Sequence, residues 1–472
     1  MVMDINEMPV KWCSVLLSDI LNRDKRLEAS VYDIEAKQCR ELVINGKYGT
    51  VPLSGDDGIT LSAYYPGRFK RIYCEAPYGV GFYLPSQMTE IYPRAEKRIS
   101  RLTKCDMSEL KLTSNTLLLT RSGTIGSVSY VSKTIEGLIF SDDVIRVKFK
   151  NDYDLGFVYI FLKTKAGSTV LQTNGYGSVI THLEPEHLRS IPIPNAPVSV
   201  KQQINELVVK SYQLRDESNE LIDKATNLLI KELDLPSIEK LLEVSPSNSF
   251  SVKLSEMNMR VDASYHVPAV NTIIERLNEH AKEVTTLADE RVTEKILLPG
   301  RFKRVYVDEG HGIVFFSGKD IMQLDPQEKK YLSFAQHDKR IKEDLIIHDN
   351  MILVTCSGSI GNVVLVPKHW DGWSMTHDII RYIPKSDFRG FAYIWLNSPY
   401  GRYLLNSKAY GSVVQHIEIE HLKEIPIPLL KDYELQSKIN SIALEANDKR
   451  YEAYKLEQRA LQIMNDEVLY AE

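Results

Sequence analysis

Two stretches of the chain crowd histidines and carboxylates together. His182-x-Glu184-x-Glu186-His187 lies in YGSVITHLEPEHLRSIPIP, which starts at Tyr176, and His416-x-Glu418-x-Glu420-His421 lies in YGSVVQHIEIEHLKEIPIP, which starts at Tyr410. Imidazoles and carboxylates at that density could hold a metal or move a proton. The spacing points elsewhere. The two histidines of each string stand five apart, which a helix does not bring to one face, and neither string matches H-E-x-x-H or H-x-x-E-H. Glu184-Pro185 reads as a helix start, with proline in the first turn and carboxylates at the positive end. Capped turns are therefore expected here, with neither a metal nor a catalytic residue.

Other searches for chemistry return little. Asn397-Ser398-Pro399-Tyr400 is similar to the Asn-Pro-Pro-Tyr loop with which DNA amino-methyltransferases grip a flipped base. Ser398 replaces the first proline, the first half of the chain has KTKA at the equivalent place, and no glycine-rich cofactor loop follows a strand. A helix-terminus turn is the expectation. Ser317-Gly-Lys-Asp320 lacks the spacing and hydroxyl of a phosphate loop, and no G-x-S-x-G is present. Cys13, Cys39, Cys74, Cys105 and Cys356 are odd in number and form no C-x-x-C, so neither a disulfide framework nor a zinc site is expected.

Cations are the residue type with a pattern. PGRFKRIY supplies Arg68, Lys70 and Arg71, and PGRFKRVY supplies Arg301, Lys303 and Arg304, each interleaved with aromatics after a Pro-Gly turn. Strand alternation would send Arg68 and Lys70 to one face and Arg71 to the other. PRAEKRISRLTK adds Arg94, Lys97 and Arg98, and its counterpart region adds Lys329, Lys330, Lys339 and Arg340, with Lys342 beyond. The turns RSGTIG and SGSIG offer Arg121, Ser122 and Thr124, then Ser357 and Ser359, where glycines let backbone N–H groups approach a phosphate. Tyr176 and Ser178, Tyr410 and Ser412, and His377 complete the candidate set for DNA binding. A lone basic run is usually a solvated face, and these turns could equally be plain hairpins. Matching basic runs in two related domains fit phosphate contacts better.

These residues recur because the chain is written twice. PGRFKR repeats at an offset of 233, TRSGTIG and TCSGSIG at 235, DVIR and DIIR (Asp143, Asp378) at 235, GFVYIFL and GFAYIWL (Gly156, Gly390) at 234, and RLEASVY and RVDASYH (Arg26, Arg260) at 234. A steady offset means tandem duplication, and two large copies mean two similar domains rather than a solenoid. After each IPIP comes a helical pattern of roughly 35 residues with one apolar stripe: Ile204, Leu207, Val208, Leu214, Leu221, Ile222, Ala225, Leu228 and Leu229, then Ile439, Ile442, Ala443, Ala446, Ala453, Leu456, Ala460 and Ile463. Each stripe needs a partner, and an antiparallel coiled coil of the two helices is the economical solution; docking of each on its own domain is the alternative. TLLLT, SVSYV, VIRVKF and MILVT read as strands, GFVYIFLKT and GFAYIWLNS as helices, and IPIP as an extended edge. The fold class expected is mixed α/β (α+β), with two tandem pseudo-symmetric domains, 1–198 and 241–432, joined by long helices at 199–240 and 433–472.

The charge sum of −5 speaks weakly against nucleic acid, but residues 200–245 and 431–472 each hold 6 basic and 9 acidic side chains, so the remainder stands at +1. Local clustering matters more than the sum for a groove binder. No apolar run is long enough to span a membrane. MVMDINEMPVKWCSV lacks a basic region before an apolar core, so no signal peptide and a cytoplasmic location are expected.

The duplicated order of these strings, the S-G-[TS]-I-G turns, the R-[LV]-[DE]-A-S strings, the IPIP exits and the long helices together resemble the specificity subunit of type I restriction–modification systems, over essentially the whole chain. The resemblance implies that each half is a target-recognition domain reading one half of a bipartite double-stranded DNA site. It implies helices that set the spacer and dock two modification (methyltransferase) subunits, with a restriction/translocase subunit as a further partner. S-adenosylmethionine would sit on the methyltransferase, and this chain would carry no cofactor and no catalysis. Base readout would fall where the copies diverge, around 84–114 and 317–350. The likeness of the two PGRFKR strings predicts that the half-sites share recognition features. Other readings are a recognition subunit of a related phage-defence or type II-like methyltransferase complex, a self-contained adenine methyltransferase, and a scaffold that recruits partners without DNA.

Overall fold

The structure is a computed structural model that describes residues 14–471 except 22–24, 26, 28, 76–77, 124, 177–180, 245–248, 258 and 327–328. Two compact units emerge, one of residues 1–213 with 455–472 and one of residues 214–454.

The centre of each unit is a four-stranded antiparallel sheet. In unit 1 its order is Thr60–Tyr64, Val144–Phe149, Leu117–Thr120, Val128–Tyr130, and in unit 2 it is Thr293–Leu297, Ile379–Pro384, Ile352–Thr355, Val363–Leu365. TLLLT, VIRVKF and MILVT supply the middle strands of these sheets and SVSYV an edge. Their centres, 117–119 and 352–354, are apolar at every position because both faces are covered. Alternation sends Leu117 and Leu119 into a core with Phe157 and Phe161 of the helix Asp152–Lys163, and Leu118 into a second core with Met88 and Phe140. Ile352 and Val354 face Phe391 and Trp395 of the helix Arg389–Asn397, whereas Leu353 faces Phe316 and Trp370.

The second face carries a smaller sheet: Lys97–Ser100, Gly79–Tyr83 and Ile139–Phe140 in unit 1, and Tyr306–Val307, Lys330–Ser333, Gly312–Phe316 and Ser374–Met375 in unit 2. The arginine of the repeated D-[VI]-I-R string stitches the layers together. Arg146 donates to the carbonyls of Val144 (2.7 Å), Leu110 (3.2 Å) and Phe140 (3.3 Å), and Arg381 to those of Ile379 (2.7 Å), Met375 (2.8 Å) and Thr376 (3.1 Å). Burial pushes both guanidiniums down to about 10.

The first long helix spans Val198–Glu232 and the second Tyr433–Ile463, about 50 Å each at the standard rise. The first stops short of residue 240, because Asp234 adopts a positive φ of 43° and Pro236 follows; a separate helix, Ile238–Val244, comes after. Each unit takes part of both helices. In unit 1, Ile204, Val208 and Tyr212 share a core with Ala460 and Ile463, and Glu457 accepts from Tyr159 Oη (3.1 Å) and from Lys163 Nζ. In unit 2, Ile222, Ala225 and Leu229 share a core with Ile439, Ala443 and Ala446, and Arg450 Nε donates to Ser218 Oγ (2.8 Å).

The glycine of the repeated G-F-x-Y-I string has its reason here. Gly390 N donates to Asn440 Oδ1 (2.7 Å) and Gly156 N to Asn205 Oδ1 (3.0 Å), so each short helix abuts a long one backbone to backbone. A Cβ on Gly390 would lie 2.1 Å from the Asn440 carbonyl oxygen. Pro192–Pro194 and Pro426–Leu429 form two-stranded ribbons with Thr50–Pro52 and Glu283–Thr286, as expected for extended edges that lack donors. No helix among the described residues is long and apolar enough to cross a membrane.

Candidate nucleic-acid interface

The PGRFKR strings form no strand, yet they alternate. Arg68, Lys70, Arg301 and Lys303 are exposed, while Phe69 and Phe302 turn inward and meet Phe82 and Phe315 edge-on, both at 6.3 Å. Arg71 and Arg304 also turn inward. Arg71 donates to Asp142 Oδ1 (2.7 Å) and Ser141 Oγ (3.1 Å) and lies 3.5 Å from Asp143. Burial works against its charge and Asp142 prevails, so its pKa lies above the ordinary value. Arg304 reaches Thr376 Oγ1 (2.9 Å), His377 Nδ1 (3.3 Å) and, at 3.9 Å, Asp378.

Asp143 joins strings far apart in sequence. It accepts from Ser122 Oγ (3.1 Å) and Arg121 (3.3 Å), and Ser122 Oγ lies 2.9 Å from His182 Nδ1. Ser122-Gly123 and Ser357-Gly358 thereby lie beside Thr181-His182 and Gln415-His416. Gly123 N donates to the Thr181 carbonyl (3.2 Å) and Gly358 N to that of Gln415 (3.1 Å), and both glycines use a positive φ, 81° and 75°. Ser357 is half-buried and bridges His416, whereas Ser359, Tyr410 and Ser412 are exposed, beside Val413 and Val414. Tyr176 is exposed; its hydroxyl, like that of Tyr410, donates to the glutamate eight residues on. Thr124, Gly177 and Ser178 lie outside the described residues.

Arg121 differs from the other candidates. Only 4% exposed, it donates to Glu184 Oε1 (2.6 Å) and lies 4.1 Å over the Tyr65 ring, so its charge is spent inside unit 1 rather than offered to solvent. Burial raises the Glu184 carboxyl, but Arg121 and the Tyr176 hydroxyl outweigh it and hold the group below its ordinary value. In the second copy the position is Cys356, a buried thiol pushed up to about 12 by burial.

The histidine–glutamate strings are capped turns. Pro185 opens the 3-10 turn Pro185–Ser190, and Glu184 N donates to His187 Nδ1 (3.2 Å); Glu418 N donates to His421 Nδ1 (3.1 Å) before Ile419–Lys423. Asn397-Ser398-Pro399-Tyr400 is a helix junction: Ser398 Oγ accepts from Gly401 N (3.1 Å), and buried Tyr400 donates to the Pro236 carbonyl (2.5 Å). Thr164 caps the equivalent junction in unit 1. Among the described residues, no three His, Cys, Asp or Glu side chains are grouped to hold a metal.

The remaining cations divide. Lys97 lies 5.3 Å over exposed Tyr73, and Lys330 lies 5.5 Å over exposed Tyr306, the same pair in both copies. Arg340 lies 4.8 Å over Phe302 and donates to the Gly300 carbonyl, which ties it to the PGRFKR turn. Arg94 rests on Tyr92, Arg98 is half-buried near Tyr83, Lys329 pairs with Asp325 (3.0 Å), and Lys339 is exposed near Glu343. Sequence reasoning missed Asp142, Asp143 and Asp378 as the anchors, although the repeated D-[VI]-I-R string marked two of them.

Each unit thus has a lip of exposed cations and aromatic rings, fixed from beneath by an inward arginine on carboxylate; the Gly123 and Gly358 amides, expected from the sequence to face a phosphate, are spent on the Thr181 and Gln415 carbonyls instead. Such a lip is equipment for gripping a polyanion beside stackable or apolar groups. Three solved structures align over most of the chain. The S subunit of a type I restriction–modification system from M. genitalium is 13% identical, with 88% of this chain and 97% of that one covered and a TM-score of 0.32. The HsdS subunit from Thermoanaerobacter tengcongensis is 12% identical (88% and 98% covered, TM-score 0.27). The third, described as the structural basis underlying complex assembly and conformational transition of the type I R-M system, is 12% identical (85% and 94% covered, TM-score 0.27). No curated protein sequence is a significant match. The family model of the type I restriction modification DNA specificity domain matches residues 80–223 and again residues 308–458. With more than half of its length matched, twice and in the same order, the chain belongs to that family and is a non-catalytic DNA sequence-recognition subunit of a type I restriction–modification system.

Proposed function

We propose that each unit reads one half of a bipartite duplex site, that the long helices pair as an antiparallel coiled coil which sets the gap between the halves, and that they dock two modification subunits. The protein acts in the cytoplasm, and S-adenosylmethionine is held by the modification subunits. The observation that carries this reading is the duplication of the interface: Arg68, Lys70 and the Tyr73–Lys97 pair recur as Arg301, Lys303 and the Tyr306–Lys330 pair. Exposed cations of this kind position a protein on phosphates and carry no base preference of their own. Bases are read by the divergent segments, 84–114 and 317–350. The decisive experiment assays adenine methylation of plasmid DNA by the purified chain, by the modification subunit and by both together. Methylation at one sequence only in the mixture supports the reading. Methylation by this chain alone would make it an enzyme.

A further inference from the structure

The two copies build the same arginine centre with different charge. In unit 1, Arg71 meets two carboxylates, Asp142 at 2.7 Å and Asp143 at 3.5 Å. In unit 2 the place of Asp142 is taken by His377, and among the described residues Arg304 pairs with one carboxylate, that of Asp378, 3.9 Å away. Burial lowers the His377 pKa; Asp378 pulls the other way, and Arg304, Arg301 and Arg340 add to the lowering. The imidazole is thus neutral at neutral pH and offsets none of the arginine charge. Arg340 has no basic equivalent in unit 1, where Met107 stands at the same offset of 233 as the PGRFKR strings.

We infer that the Arg304 centre of the second domain is a DNA-phosphate site, that the first domain has neutralised its copy of that site with a second carboxylate, and that His377 against Asp142 gives the second half one backbone contact more than the first. This rests on the DNA reading above and goes beyond it, because it makes two domains with one scaffold unequal partners for the duplex. The side chain of Arg304 is 31% exposed, so a phosphate can reach it without any rearrangement of the core. Two arginine centres that differ by one carboxylate differ by about one counterion released on binding.

The swap of the two residues tests this, and each replacement is one that the other copy already accommodates. The full chain in complex with its modification subunit is titrated against a fluorescein-labelled duplex of mixed sequence at several salt concentrations. His377→Asp is expected to flatten the log–log salt slope by about 0.9 and to weaken binding at 0.1 M salt roughly eightfold, if binding converges at 1 M. Asp142→His is expected to steepen the slope by a similar amount, and the double swap to restore it. Unchanged slopes, or shifts of both single variants in the same direction, overturn the inference while leaving DNA binding intact. A wild-type complex with no salt-dependent binding refutes the DNA reading and this inference together. Thermal melting identifies a variant that fails to fold, and the other arm of the swap then decides.

Discussion

Arg121→Met separates a structural arginine from a DNA contact. The guanidinium donates to Glu184 Oε1 (2.6 Å) and Oε2 (3.4 Å) and to Asp143 Oδ1 (3.3 Å), with 5% of its side chain exposed. Hydrogen bonds to charged groups contribute about 1.5–3 kcal/mol each. Glu184 and Asp143 are 18% and 29% exposed, and water takes up part of what the arginine leaves. The expected loss is therefore about 2 kcal/mol, a fall of roughly 4–8 °C in the melting of unit 1. The pH dependence has a defined sign. The Glu184 pKa is lowered by folding, so its contribution is fully present above the unfolded value of about 4.3 and is lost as pH falls through the folded one. The gap between variant and wild type, measured by urea denaturation, should be full at pH 7 and narrow below about pH 4.3. DNA affinity and its salt slope should not change. An undiminished gap in acid, or a slope flattened by about one, would refute the structural assignment of Arg121 and return it to the interface.

Arg68, Lys70, Arg301 and Lys303 together changed to Ala should weaken binding to every duplex and flatten the salt slope by about 3.6, at 0.9 for each contact; loss confined to one sequence would mean base readout instead. Gly390→Ala forces a Cβ into the Asn440 carbonyl and should cost unit 2 about 3 kcal/mol or more, read as a lower urea midpoint, whereas alanine at exposed Gly310 of the same unit, with nothing within 4 Å and a φ of 89°, should cost about 1 kcal/mol. Arg381→Met leaves buried carbonyls without their donor and should destabilise unit 2 by about 3 kcal/mol, seen in the same denaturation experiment.

The sequence carried the architecture because duplication and periodicity are local signals. Three successive leucines, 117–119, announce cover on both faces, and Glu184-Pro185 announces a capped turn in two residues. What stayed hidden depends on contacts across long separations. Nothing near Arg121 in sequence shows that Glu184, 63 residues away, will consume its charge, and nothing near Arg71 shows Asp142, 71 residues away. The first long helix ends before the expected bound of 240 for a local reason: the backbone turns at Asp234. The inward turn of Arg71 follows the alternation expected of a strand although no strand forms, because Phe69 and Phe302 take the core-facing positions.

Sequencing of methylated adenines in cells that express this chain with its modification subunit tests the central claim most directly. The account predicts one bipartite motif, two short defined halves across a fixed gap, with only the second half altered when residues 317–350 are exchanged for those of another family member. Methylation without a shared motif, or a motif in which the exchange alters both halves or neither, would contradict it.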